Sequence, residues 1–233
     1  MKKNIIILLF TSFFSCLQSD AETYSVTEVQ NEHADCDQSV PFGNIDVCLP
    51  KIEGMVECYS SPMLKEFVDN FNYEGNSILA FYLNQSDYEG IDNLEELGFD
   101  DYFQIYVTDV TKNMKLGQAE LNQLAQMFED SHYREDWVSY VKNREKLLRD
   151  VSLNGPIILE GYSPKKEIRS YVTLMSFKGA EQENTVVAMM NMVLIKERFV
   201  WVAYFKQFEG EKSIQQAKQK NESIVLQLLS DNK

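Results

Sequence analysis

The chain has 233 residues, of which 44% are hydrophobic and 25% charged, with 10 glycines and 5 prolines. That composition supports a packed core and excludes collagen-like, low-complexity and broadly disordered chains. Lys and Arg total 22 against 36 Asp and Glu, a formal charge of −14, which disfavours electrostatic attachment to nucleic acid or to an anionic membrane.

Met1-Lys2-Lys3 followed by the apolar run from Ile5 to Phe14 has the form of a charged n-region and a short h-region, too short to cross a hydrocarbon layer of ~30 Å as a helix. It is expected to be a secretory signal. No later stretch approaches the ~18 apolar residues of a membrane span. Two cleavage positions compete. Ser19-Asp20-Ala21 presents small residues to a general signal peptidase, making residues 1–21 the signal and Glu22 the mature start. Phe13-Phe14-Ser15-Cys16 is similar to a bacterial lipobox, which would end the signal at residue 15 and place a lipid on Cys16, although Phe stands where that pattern favours Leu. The expectation is an exported protein, periplasmic or secreted, or held at a membrane by a lipid on Cys16.

Cys36, Cys48 and Cys58 remain after either cut. An oxidising compartment makes one disulfide among them the expectation, with one thiol left over and the pairing open. Their spacings fit neither a zinc knuckle nor a redox C-x-x-C motif.

Residues 22–41 are polar and without period, ending at Pro41, and are expected to be a tail; the domain is expected to run from 42 to 232. Ile45, Val47 and Leu49 alternate with Asp46 and Cys48, then Pro50 to Gly54 lead to the apolar run Met55 to Tyr59: strand, turn, strand. Ser61-Pro62 with Leu64, Phe67, Val68 and Phe71 predicts a short helix. Ile78 to Leu83 is continuously apolar, as a strand covered on both faces would be. After the acidic stretch Ser86 to Asp101, Phe103, Ile105 and Val107 alternate with Gln104, Tyr106 and Thr108 in another strand. Two helical stripes follow, one through Leu121, Leu124, Ala125 and Phe128, the other from Trp137 to Val151, with Gly155-Pro156 as the stop.

The last third predicts four strands, Ile157 to Tyr162, Ile168 to Phe177, Thr185 to Ile195 and Phe199 to Phe208. Their short polar turns, Ser163-Pro164-Lys165-Lys166 and Lys196-Glu197-Arg198 among them, force antiparallel neighbours. Ser213 with Gln216 predicts a capping box opening a C-terminal helix whose apolar face carries Ile214, Ala217, Ile224, Val225, Leu228 and Leu229. The layout is a single α+β domain with a mostly antiparallel sheet of about six or seven strands.

The closing run from Val193-Leu194-Ile195-Lys196-Glu197-Arg198 through Phe199-Val200-Trp201-Val202-Ala203-Tyr204-Phe205, followed by a capped helix ending at Asp231-Asn232, resembles the PsbP-like family. Ile45-Asp46-Val47-Cys48-Leu49-Pro50 is similar to that family's first strand. The resemblance implies an α/β/α sandwich without a catalytic constellation, serving in binding or assembly. The acidic connection Ser86 to Asp101 and the helical excursion Leu116 to Val151 are larger than the family pattern, so no functional residue is carried over.

Signatures of nucleotide loops, zinc proteases and serine hydrolases are absent. Gly161-Tyr162-Ser163-Pro164-Lys165 opens like a nucleophile elbow but has Lys at the second glycine position, and is expected to be a hairpin turn. His33, Asp35 and Cys36 offer three metal ligands in the predicted tail, where a fourth ligand and a rigid frame are lacking. His132, at a helix start, is outside the core strands, so a Cys-His nucleophile pair is not expected. The acids Asp87, Glu89, Asp92, Glu95, Glu96, Asp100 and Asp101 do not follow the alternation of a calcium loop, and a solvated connection is favoured. Met189, Met190 and Met192 fit core packing better than an adaptable groove. Trp201, with Phe199, Ala203 and Phe205, is expected to face a helix layer.

No catalytic, cofactor or metal residue is assigned and no cofactor is expected. The expected function is that of an exported, non-enzymatic domain binding a partner, another envelope protein. The alternative is an envelope carrier of a small apolar ligand, held between the sheet and the Leu116 to Val151 helices near Trp137 and Tyr140.

Overall fold

The computed structural model describes residues 36–70, 72, 74–91, 101–132, 156–178 and 183–233. The expected signal, Cys16, His33, most of the acidic stretch, and the expected second helical stripe with Trp137 and Tyr140 lie outside the described residues.

Seven strands form one antiparallel sheet: β3 (Met55–Glu57), β4 (Asn76–Asn84), β5 (Asp101–Thr108), β6 (Ile157–Tyr162), β7 (Ile168–Lys178), β8 (Glu183–Ile195) and β9 (Arg198–Gln207). Their order is β3-β4-β5-β9-β8-β7-β6, so the last strand in sequence lies in the middle, between β5 and β8. β1 (Ser39–Phe42) and β2 (Ile45–Cys48) form a separate hairpin. Among the described residues the α-helices are α1 (Pro62–Asp69), the short α2 (Gln85–Glu89), α3 (Gln118–His132) and α4 (Glu211–Asp231). The domain is therefore α+β, helices packing on both faces of the sheet.

Strand periodicity sorts the core into two layers. Phe103, Ile105 and Val107 of β5 and Val200, Val202 and Tyr204 of β9 face one side, where Ile214, Ala217, Ile224 and Val225 of α4 cover them, with Phe42 and Val47 of the hairpin alongside. Tyr102 and Tyr106, then Ala203 and Phe205, face the other side, with Leu64 and Val68 of α1 and Leu121, Ala125 and Phe128 of α3. The three methionines divide by the same rule: Met189 is buried in the first layer, Met190 and Met192 in the second.

Residues 36–41, expected as the end of a polar tail, belong to the fold. Ser39 to Phe42 pair with Ile45 to Cys48, and Cys36 is bonded to Cys48, which leaves Cys58 as a buried free thiol. Gly43 allows the hairpin: its φ is +63°, and a Cβ there would stand 2.2 Å from the Lys112 carbonyl oxygen. The C-terminal helix also departs from its expected cap. Gly210, at φ +109°, occupies the N-cap, and Ser213 sits inside the first turn, its Oγ accepting from the Glu209 N–H at 2.9 Å and donating to the Gly210 carbonyl at 2.7 Å.

The β8–β9 turn is Lys196-Glu197 alone, since Arg198 pairs with Ile195 and is buried. Its guanidinium donates to the Glu197 carbonyl (2.8 Å) and to Asn44 Oδ1 (2.7 Å), joining this turn to the β1–β2 hairpin. Burial lowers its pKa.

Candidate functional site

The second face of the sheet carries side chains in rows that cross the strands. Phe81, Gln104, Ala203, Met190, Tyr171 and Gly161 follow one another in register from β4 to β6. The rows on either side are aromatic where this one is not. Tyr102 stacks on Phe205 with ring centroids 4.7 Å apart, and Tyr106 stacks on Trp201 at 6.1 Å. The Gln104–Ala203 pair thus lies between two aromatic layers. The four-residue step from Tyr102 to Tyr106 spans roughly 13 Å along the strand.

Ala203, fully buried, is the small residue of this row on β9, with Trp201 and Phe205 as its neighbours on the same face. Gln104 and Met190 stand opposite it on the flanking strands, at the ~5 Å spacing of cross-strand pairs. Gln104 is 1% exposed, and among the described residues neither Oε1 nor Nε2 of its amide has a hydrogen-bond partner. A buried primary amide left in this state costs about 1–3 kcal/mol per unpaired group. Tyr102 and Tyr106 are buried beside it, and burial pushes both phenols well above the usual range. Trp201 is half-buried, at the margin of the layer.

Arg169 stands opposite Met192 on the same face. Its guanidinium pairs with the Glu129 carboxylate of α3 and lies over the Tyr171 ring, 5.3 Å from the centroid. Tyr171 donates its hydroxyl hydrogen to the Ala125 carbonyl at 3.1 Å, which fixes α3 on β7. The cation is already committed, and it holds a helix to the sheet.

The residues weighed from sequence for chemistry do not come together here. Ser163 begins the β6–β7 connection, as the hairpin expectation had it, and accepts a 3.4 Å hydrogen bond from Arg169. Cys58 donates to the Phe81 carbonyl at 3.1 Å, and its thiol is pushed up to about 12, by burial first and then by the charge of Glu57. Cys36 and Cys48 lie at the hairpin, where Asn232 Oδ1 accepts from the Cys48 N–H (2.8 Å) and Asn232 Nδ2 donates to the Cys48 carbonyl (2.9 Å). Of the acidic residues, Asp101 opens β5 and pairs with Lys206 at 3.5 Å. Among the described residues no three His, Cys, Asp or Glu side chains are grouped to hold a metal ion, and no helix is long and apolar enough to cross a membrane.

The alternation of the strand sets Gln104, with Tyr106 and Thr108, on the face opposite Phe103, Ile105 and Val107. The signal that it faces a second buried layer was its own neighbourhood: Tyr102 and Tyr106 share its face, and two aromatic residues flanking one polar residue do not make a solvated surface.

No protein-family model matches the chain, and no curated protein matches it in sequence. Among solved structures, the Saccharomyces cerevisiae Ran-binding protein Mog1p is similar at 12% sequence identity and a TM-score of 0.34, covering 84% of this chain and 91% of that one. A point mutant of protein Mog1 has the same identity and TM-score, covering 84% of this chain and 92% of its own.

Proposed function

We propose that this is an exported, non-enzymatic binding or assembly domain, laid out as in the PsbP-like family, whose partner is another protein of the bacterial envelope. The observation that supports it is the state of the groups that could do chemistry. The Cys58 thiol is buried and raised to about 12, so it holds almost no thiolate at neutral pH. The Ser163 hydroxyl accepts from a guanidinium, which is not a base. Gln104, unpaired among the described residues and buried, is a carboxamide, which neither gives nor takes a proton near neutral pH.

A protein partner suits α1. Met63 is 47% exposed there, one helical turn from half-buried Phe67, and Tyr59 beside them is fixed by Lys65 (2.6 Å) and Asp69 (2.7 Å). An apolar pair on an outer helix face, next to an ordered tyrosine, fits contact with another chain. The test is in situ crosslinking in the native envelope, comparing wild type with Met63→Lys. A specific protein captured by the wild type and several-fold less by the variant supports the reading; a wild type that captures no protein overturns it.

A second reading, a carrier of a small ligand between sheet and helices, is favoured by Gln104. Protein binding gives no reason to keep an unpaired amide inside the domain.

A further inference from the structure

We propose that the Cys36–Cys48 disulfide is a redox-operated latch on the first strand: reduced by a dithiol, it lets residues 36–41 leave the folded domain, and re-oxidised it draws them back. The two half-cystines are held very differently. Cys48 is 1% exposed, and Asn232 clasps its backbone, accepting from the N–H at 2.8 Å and donating to the carbonyl at 2.9 Å. Lys196 Nζ donates to the Asp46 carbonyl (3.1 Å) and the Arg198 guanidinium to Asn44 Oδ1 (2.7 Å). β2 and the turn before it are therefore tied to the sheet and to α4 independently of β1.

Cys36 sits on a segment of the opposite kind. None of the residues from Cys36 to Pro41 is buried, and Val40, partly covered, is the one that packs against the core. Besides the disulfide and the pairing with β2, the ties of this arm among the described residues are three. The Leu49 N–H donates to the Gln38 carbonyl at 2.8 Å, Gln38 donates to Glu57 at 3.3 Å in an exposed hydrogen bond, and Asp37 faces Lys51 at 3.9 Å with both side chains exposed. Pro41 brings no N–H to the ladder. A two-stranded ladder this short is marginal in water and an exposed ion pair adds little to it, so the entropy of the ordered arm is opposed mainly by the covalent bond. Release ends at Phe42, which is 2% exposed in the core, next to the turn where Gly43 lies against Lys112.

A thiolate of the dithiol attacks Cys36 Sγ, which belongs to the more exposed residue of the two. The protein's S–S bond breaks, leaving a mixed disulfide on Cys36 and a thiolate on Cys48 that takes a proton. The second thiol of the reductant loses its proton and attacks its own sulfur in the mixed disulfide, which closes the reductant's disulfide and releases Cys36 to be protonated in turn. Two electrons and two protons pass from dithiol to protein. Cys58 takes no part, since its thiol donates to the Phe81 carbonyl in the other core layer. Opening uncovers the pairing edge of β2 and the Cys48 thiol, and it moves the point where the preceding chain joins the domain from residue 36 to residue 42.

Two neighbouring amides read the latch, because the Leu49 N–H is bonded to the arm and the Cys48 N–H to Asn232. The experiment compares the isotope-labelled full-length chain, oxidised and after dithiothreitol, by NMR hydrogen exchange and backbone relaxation. In the reduced protein the Leu49 amide is expected to be less protected than the Cys48 amide by about tenfold or more, while Cys48 and α4 stay protected. The order parameters of residues 37–40 are expected to fall below about 0.6. Cys36→Ser is expected to show the open arm without reductant and no further response to it, and re-oxidation of the wild type to restore the closed state. An arm that stays ordered in the reduced wild type overturns the proposal. So does a disulfide that dithiothreitol reduces only in the unfolded chain. Loss of protection at Cys48 and throughout α4 on reduction would make the bond a staple of the whole fold, which overturns the latch as well.

Discussion

Asn191 on β8 and Asn221 on α4 exchange reciprocal amide hydrogen bonds of 2.7 and 2.9 Å, with neither residue exposed to solvent. Asn191 also donates to the Val202 carbonyl at 2.9 Å, and Asn221 to the Tyr162 hydroxyl at 3.3 Å. The pair, together with the Lys218–Glu160 ion pair at 2.9 Å, pins the C-terminal helix to the sheet at one register among the non-directional apolar contacts of that layer. Replacing either Asn by Leu leaves the other amide buried and short of its partner, at a cost of about 2–4 kcal/mol. The double variant removes both orphans and should cost less than the sum of the singles by more than 1 kcal/mol. Urea unfolding of all four proteins measures the coupling; additive costs would mean that the two amides do not act as a unit.

The Cys36–Cys48 disulfide closes a loop with a sequence separation of 12, and its second half-cystine is held by Asn232 at the far end of the chain. Restricting the unfolded chain in this way contributes about 2–3 kcal/mol. Reduction, or Cys36→Ser, should lower stability by that amount, and the wild type unfolded without reductant should show a single free thiol, Cys58, in the form starting at Glu22. Two further thiols in protein from its native compartment would remove the staple.

Lys196 and Glu197 take φ of +45° and +61°, the left-handed values that a two-residue hairpin needs and that neither side chain favours. Glu197→Gly should relieve this and raise stability by about 0.5–1 kcal/mol. The exposed Lys115–Glu197 pair that it removes, 3.3 Å apart, contributes little against that. Thermal or urea unfolding decides the sign; a loss of stability would show that the turn is not strained.

Alkali should unfold the protein through groups ionised only after unfolding. Burial raises the Cys58 thiol from 9.0 to about 12 and the Tyr162 phenol from 10.0 to about 12. Each group's contribution is fully present below its unfolded value and is lost as pH rises from there to the folded one, because the unfolded chain then binds fewer protons. Stability should therefore hold to about pH 9 and then fall. Cys58→Ala should flatten the fall between pH 9 and 10 by up to ~1.4 kcal/mol per pH unit. The same slope in both proteins would show that Cys58 is accessible.

Local patterns revealed most of the sheet. The closing strands alternate over long runs with turns too short for anything but hairpins, and β8 pairs β7 and β9 along almost its whole length. What stayed hidden depends on contacts distant in sequence. β1 is four residues with a proline, held by pairing with β2 and by a disulfide whose partner no spacing reveals. The start of α4 was misread because Ser213 satisfies backbone groups from inside the first turn rather than from the cap. The burial of Gln104 stayed hidden because alternation distinguishes two faces of a strand without saying that both are covered, and β5 lies between β4 and β9 under helices on both sides.

Trp201 and Phe205 test which part of the second face is interior and which is margin. Both face the same layer from β9, and from sequence alone Trp201→Ala would be assigned the ~3–5 kcal/mol of a fully buried aromatic. Phe205 is 2% exposed and stacks on Tyr102 at 4.7 Å, whereas Trp201 is half-buried and stacks on Tyr106 at 6.1 Å. Less of the indole leaves water on folding, and part of the space it vacates is open to solvent, so the cavity cost shrinks. Phe205→Ala should therefore cost ~3–5 kcal/mol and Trp201→Ala only ~1.5–3. The ordering of the two costs is the informative result. If Trp201→Ala costs as much as Phe205→Ala, the indole is interior in solution rather than at the margin of the layer.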